Sequence, residues 1–406
     1  MHRKFATAIG VGAGALLALT ACSSSSSSTS ATAPASSAST SASAPASTSA
    51  SASTSASASA SASASASSGG ASSIVGSSSF NDAAMTALTA KIQAAIGSKS
   101  LSDVKIAMVT NGNSAYWNEA KAGWNAAMKW LGGKGATGSF QEPTASEASV
   151  QVSLLETLST QGYTGWGVSA VTAQSLTTPI AQAVAKGLSV VAYDSPLPGT
   201  DAQLYIGTPN TTAGCDAGKA MTQAIGSGDV VAISGSWTAA NTQQRVAGFE
   251  QCAGPGIKVI QKVNDNQDVA TAVSDLQAAI QANSSIKGIY AVYSYDGGAA
   301  GQAVQSANAA GKVTIVSDDG EQNTINDVKS GIIAASILQR PYYQGYMLAY
   351  VLAADKALGD SATMALVKPY FVAGPGNTLS TGVGIMTKAN VGDFTSFWSS
   401  IGISAQ

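Results

Sequence analysis

The residues able to do chemistry gather where apolar runs end. Asn113, Tyr116 and Trp117 follow Val104–Val109, Asp194 and Ser195 follow Leu188–Tyr193, and Trp237 and Arg245 follow Val230–Ser234. Tyr295 and Asp296 follow Gly288–Tyr293, Asp319 follows Val313–Val316, and Gln339 follows Ile332–Leu338. Carboxylates, amides, an arginine and aromatic rings together suit a polyol. Aspartate accepts from two adjacent hydroxyls, arginine and glutamine donate, and an aromatic face covers the C–H surface of a sugar ring. Hydrogen bonds to charged groups contribute about 1.5–3 kcal/mol against about 1 for neutral ones, so the aspartates and Arg245 are expected to orient the guest. Each residue also has a plainer alternative. The aspartates suit helix caps, the rings suit packing, and Arg245 could pair with Glu250 on the surface.

Other chemistries are excluded by composition. The 406 residues carry 20 basic and 22 acidic side chains, a net charge of −2 with no basic block, which argues against nucleic acid as a partner. The one histidine, His2, and the first of three cysteines, Cys22, both lie in an apparent export signal. With the histidine processed away, Ser-His-Asp and Cys-His catalysis and histidine-ligated metals are excluded, and with only Cys215 and Cys252 beyond the signal a four-cysteine zinc site is too. Gly132-Gly133-Lys134-Gly135 has no hydroxyl residue after its lysine, so no phosphate loop is read. No cofactor is expected.

These strand-end residues need elements to hold them. Nine apolar runs, the six above with Gly167–Val171, Leu204–Ile206 and Val259–Val263, are mostly continuous rather than alternating, as in parallel strands buried on both faces. Between them, residues such as Ala120, Trp124, Ala127, Met128 and Leu131 form helical stripes. Strand and helix alternating in this way predict an α/β fold. So many strands divide more naturally into two Rossmann-like lobes with parallel sheets than into one sheet. Ligands of such sheets sit beyond the carboxyl ends of the strands.

The first eighty residues read as an address and a tether. Residues 1–21 have a basic start and a Gly/Ala/Leu-rich run, as a secretory signal does. Leu19-Thr20-Ala21-Cys22 resembles the bacterial lipobox, which implies cleavage before Cys22 and a diacylglycerol on its sulfur. Residues 22–80 are expected to be a disordered tether, because Ser, Thr, Ala and Pro have nothing large to bury. No later apolar run approaches the roughly 20 residues needed to cross a bilayer. The expected location is extracytoplasmic, with the folded part anchored to the outer face of the cell membrane by lipid.

From Val104 to about Phe371 the chain resembles the ribose-type periplasmic sugar-binding proteins, the type I substrate-binding proteins of bacterial ABC importers. Asn113-Ser114-Ala115-Tyr116-Trp117, Asp194, and Gly207-Thr208-Pro209-Asn210-Thr211-Thr212-Ala213-Gly214 are similar to family segments in order. So are Arg245-Val246-Ala247-Gly248-Phe249, Asp296-Gly297-Gly298-Ala299-Ala300, Asp319-Gly320 and Gln339. The resemblance implies two lobes joined by a three-crossing hinge near Thr208–Asn210, Leu338–Arg340 and Tyr370–Pro375, closing around one monosaccharide. It places 81–208 with 339–372 in an N-terminal lobe and 209–338 with 373–406 in a C-terminal lobe. Ser195 stands where ribose binders often have arginine, Asp296 where they have asparagine, and Pro209 where they have aspartate. A different pentose, hexose or sugar alcohol is therefore equally allowed.

Cys215 and Cys252 fall on two helices of one half, and outside the cytoplasm a bridge is the default for a pair, with two buried thiols as the alternative. Three functions remain open at this point. The first is a monomeric receptor that passes a sugar or sugar alcohol to an ABC permease. The second is a sensor that docks on a membrane receptor. The third is a glycosidase, disfavoured because the six glutamates are read as lying off the strand ends.

Overall fold

A computed structural model describes residues 74–372 and 376–403. The expected signal, the lipid-bearing Cys22 and the tether up to residue 73 lie outside the described residues. The chain enters with β1 (Ser77–Phe80), α1 (Asp82–Ile96), β2 (Lys105–Val109), α2 (Trp117–Gly132) and β3 (Thr137–Gln141). Next come α3 (Ala148–Leu158), β4 (Gly165–Val168), α4 (Ala173–Ala185), β5 (Ser189–Tyr193) and β6 (Tyr205–Gly207). A second series follows with α5 (Asn210–Ile225), β7 (Gly228–Ser234), α6 (Ala240–Cys252), β8 (Ile257–Asn264), α7 (Val269–Ala282) and β9 (Ile286–Ala291). It ends with α8 (Asp296–Ser306), β10 (Thr314–Asp318), α9 (Gln322–Ser330) and β11 (Ile333–Leu338). Helices α10 (Pro341–Leu358) and α11 (Asp360–Val367), strands β12 (Thr378–Ser380) and β13 (Gly382–Met386), and helix α12 (Val391–Ser400) complete it.

Two sheets result. One is six-stranded and parallel throughout, in the order β12-β6-β5-β4-β2-β3. The other is seven-stranded, in the order β1-β13-β11-β10-β9-β7-β8, and parallel except where β13 meets β11 and β1. Each carries helices on both faces and therefore has two apolar layers, which is why its central strands are buried along their length. Helix α10 is the axle of the first lobe. Its run Met347–Ala354 is buried without interruption, because α2, α1 and the sheet enclose it on every side.

Four strands escape the sequence reading. β3, Thr-Gly-Ser-Phe-Gln, is an edge strand with little to bury, and β12 and β13 are short and separated only by Thr381. β1 corrects the tether boundary. Residues 77–80 are a strand, because pairing Ser77 through Phe80 with Ile385 through Gly382 satisfies the backbone whatever the side chains. Phe80 then packs edge-on against Phe394, centroids 6.2 Å apart. A second correction concerns the last crossing. Thr378–Ser380 pair with Tyr205–Gly207 of the first sheet, so the chain changes lobe at Thr381 and not near Tyr370–Pro375.

The passes between lobes lie side by side. Thr208 and Gln339, on two of them, share an Oγ1–H···Oε1 bond of 2.7 Å. Thr381 donates its N–H to Gly207 O at 2.9 Å and accepts from Asn81 N at 3.1 Å, so the segment between β1 and α1 adds a further pass. Arg340 pairs with Asp82, its Nε donating to both carboxylate oxygens at 3.1 and 3.2 Å, and its guanidinium lies over the Phe80 and Phe397 rings.

Helices α5 and α6 cross so closely that a Cβ on Gly214 would overlap the Arg245 carbonyl, and one on Gly248 the Thr211 carbonyl. Cys215 and Cys252 of these same helices are joined by a disulfide, with their Cα atoms 4.9 Å apart. The bridge closes a loop of sequence separation 37, for which chain entropy gives about 3–4 kcal/mol of stabilisation. Cys252→Ser should therefore lose about 3–4 kcal/mol in urea unfolding under oxidising conditions. Reductant should then change the variant little. A loss of under about 1 kcal/mol would contradict the entropic account.

Candidate ligand-binding site

The carboxyl ends of β2 and β5 from one lobe meet those of β7, β9 and β10 from the other around a small polar cavity of about 50 Å³. Asp194 stands at the end of β5 with φ of 58°, and Asp319 just past β10 with φ of 63°. This left-handed backbone is uncommon for a side-chain-bearing residue. Here it turns a carboxylate from each lobe into the same space, and both aspartates are buried. Asp194 Oδ1 accepts from the Tyr116 hydroxyl and Oδ2 from the Ser169 hydroxyl, each at 2.7 Å. Asp319 accepts from Gln339 Nε2 at 3.2 Å on both oxygens, which links it through Gln339 to Thr208 and thus to two interlobe passes.

Arg245, on α6, is 2% exposed and held on three sides. Its Nε donates to Asn210 Oδ1 at 3.0 Å, and its Nη1 to Asp318 Oδ2 at 3.0 Å and to Val292 O at 3.3 Å. The buried Nη2 has no protein partner. Asp318 is the last residue of β10, and it also accepts from the Tyr290 hydroxyl at 3.1 Å. Burial works against the charge on Arg245, but Asp318 and then Asp319 more than offset it and raise its pKa further. The carboxyls move upward. Burial lifts Asp318 to about 6 against the pull of Arg245, and lifts Asp319 to about 8, with Asp318 adding to the effect. Burial raises Asp194 too, while Tyr116 and Ser169 hold it down.

Seven of the residues anticipated from sequence line this cavity: Tyr116, Trp117, Asp194, Arg245, Tyr295, Asp319 and Gln339. Trp117 is fixed edge-on between Tyr116 (4.9 Å) and Tyr193 (5.8 Å). The Tyr295 hydroxyl donates to Asp265 Oδ1 at 2.7 Å.

Four residues are placed elsewhere. Asn113 is exposed, and the amide that reaches the cavity from that loop belongs to Asn111. Ser195 is buried off the cavity wall, where its N–H donates to Tyr193 O at 2.6 Å. Trp237 spends its indole N–H on Val263 O at 2.8 Å and packs into the core of its own lobe. Asp296 is the first residue of α8, off the cavity wall, and its carboxylate accepts from Tyr293 N at 2.8 Å in the segment just before the helix.

Residues that the sequence reading missed include Ser114, Asn241, Gln267, Tyr293 and Ser294. Asn241 precedes Arg245 by four positions and so shares its helical face, a signal that was there to be used. Two glutamates also lie nearer strand ends than expected. Glu142 directly follows β3, and Glu321, three residues past β10, accepts from the Ser294 hydroxyl at 2.6 Å.

Residues 104–358 match the family described as periplasmic binding protein domain. The chain belongs to that family. Over 240 residues it is 25% identical to the D-allose-binding periplasmic protein of Escherichia coli, covering 56% of this chain and 76% of that one. It is 29% identical over 198 residues to the xylitol-binding protein of Mycolicibacterium smegmatis, covering 48% and 56%. Among solved structures, an ABC transporter solute-binding protein from Burkholderia graminis in complex with D-arabinose superposes with a TM-score of 0.64 and 26% identity, covering 72% of this chain and 97% of that one. The two-lobed architecture is thus the type I periplasmic-binding-protein fold, and the chain belongs with extracytoplasmic solute-binding proteins of sugar transport. These relatives are named as binding proteins, for sugars and a sugar alcohol, and lend the glycosidase alternative no support.

The raised carboxyls make stability depend on pH with a definite sign. Asp318, Glu119 and Asp319 titrate near 6, 7 and 8 in the folded chain, all above their unfolded values. The folded state therefore holds more protons across that window, and ligand-free stability must fall as pH rises through it. Thermal melting of the ligand-free protein should decline from about pH 5 to 8.5, and Asp319→Asn should flatten the last part of the decline. A profile that rises over this range would contradict the assignment.

Proposed function

We propose that the chain is a lipid-anchored extracytoplasmic receptor that captures a monosaccharide or sugar alcohol between its lobes and delivers it to an ABC permease. The observation that carries this reading is that Arg245, whose buried Nη2 has no protein partner, lines the same cavity as Asp194 and Asp319. A guest there receives a charged donor from one side and two acceptors from opposite lobes. Vicinal hydroxyls supply both complements without any net charge. Asn111, Asn241 and Gln267 add amides, and Trp117 with Tyr116 supplies the apolar wall for ring C–H groups.

Because contacts come from both lobes, the guest favours their approach, and affinity is coupled to hinge closure. The sugars and sugar alcohol named for the relatives, D-allose, D-arabinose and xylitol, are the first candidates. Cys22, carrying the lipid, and the Ser/Ala-rich stretch behind it would keep the receptor beside its permease.

Titration of pentoses, hexoses and sugar alcohols, followed by tryptophan fluorescence and calorimetry, should find a saturable ligand. Asp194→Asn, which keeps shape but loses the charged acceptor, should weaken binding about 10–150-fold, the equivalent of about 1.5–3 kcal/mol. No response to any member of the panel would refute the reading.

A further inference from the structure

The inner cavity is not the end of the cleft. A second chamber of about 570 Å³ lies beside it, and Tyr116, Ser294, Asp319 and Gln339 line both. One wall of the outer chamber is the α2 face carrying Asn118, Ala122 and Asn125; the other carries Gln322 of α9 and Trp398 of α12. Trp398 is half-buried, and its indole is fixed across the lobes because Nε1–H donates to Glu119 Oε2 at 2.6 Å. Glu119 is held in turn by the Tyr342 N–H, which donates to Oε1 at 3.2 Å. Gln322 Oε1 is buried there without a partner. The outer chamber thus repeats the chemistry of the inner one: a positioned aromatic ring, side-chain amides and an unused acceptor.

Size points the same way. Small-molecule sites run to about 300–1,000 Å³, so the inner cavity alone is well below that range and the outer chamber lies within it. We infer that this site takes an O-substituted sugar, a disaccharide or glycoside. One ring sits among Arg245, Asp194 and Asp319, and its substituent passes between Tyr116 and Asp319 to lie against Trp398. This rests on the sugar-binding reading above and extends it by one ring.

Calorimetry on the whole folded chain with matched pairs tests it: D-xylose against xylobiose, and D-glucose against maltose and cellobiose. At least one disaccharide should bind about tenfold tighter than its parent, a gain in keeping with one added aromatic contact. Ala122→Trp, which fills the outer chamber, should abolish that advantage and leave the monosaccharide affinity within about twofold. Asn125→Trp, at an exposed position on the same wall, should do the same if the first variant folds poorly. Monosaccharides binding as tightly as every disaccharide, or a disaccharide advantage that survives both variants, would overturn the second ring and leave the binding reading intact. Silence from both series would remove the binding reading itself, and this inference with it.

Discussion

A guanidinium buried to 2% exposure is expensive unless its hydrogen bonds are met, and the architecture around Arg245 meets three of its five, leaving the two donors of Nη2. Asp318 neutralises it from β10, Asn210 holds Nε from the start of α5, and the Val292 carbonyl receives Nη1 from the end of β9. Three elements must therefore be in register to leave only the Nη2 amino group unpaired beside the cavity. Loss of Asp318 would leave a buried charge uncompensated, and the α5–α6 crossing that carries Arg245 leaves no room for a Cβ on Gly214 or Gly248. Rigid support for a short list of polar atoms separates a recognition site from a merely polar gap.

The same constraint explains the carboxyls. Three acids share the cleft with one fixed cation, and burial favours their neutral forms. Protonated Asp319 is a donor as well as an acceptor, so the cleft presents a mixed hydrogen-bonding surface instead of a concentrated negative field. Such a surface matches neutral hydroxyls better than it matches a cation, which would prefer the acids ionised. The linkage through Gln339 to Thr208 ties one of these acids to two of the passes between the lobes.

Much of this was legible in the chain. The continuous apolar runs mark the central strands, because a strand buried on both faces leaves an unambiguous trace; Val104–Val109 and Leu188–Tyr193 are examples. Asp194 and Asp319 are legible because each follows such a run closely, whereas Arg245, on the helix beyond its run, is legible through the family segment it opens. Less legible were elements specified by their neighbours. β1 is three serines and a phenylalanine, and only β13 makes it a strand. The misplaced site residues fail for a similar reason. Asn111 and Asn113 differ by two positions in one loop, and composition cannot say which amide turns inward. Trp237 reads as a ligand platform until Val263 is seen to claim its N–H.

The strand formed by residues 77–80 has a practical consequence. It covers the outer side of β13 and shields Phe394, so the sheet ends in a short serine-rich edge instead of Gly-Val-Gly-Ile-Met. A recombinant chain trimmed to begin at the first helix would look tidy on paper. It would bare a hydrophobic border with unmet amides and carbonyls, the kind of rim along which molecules zip together into aggregates.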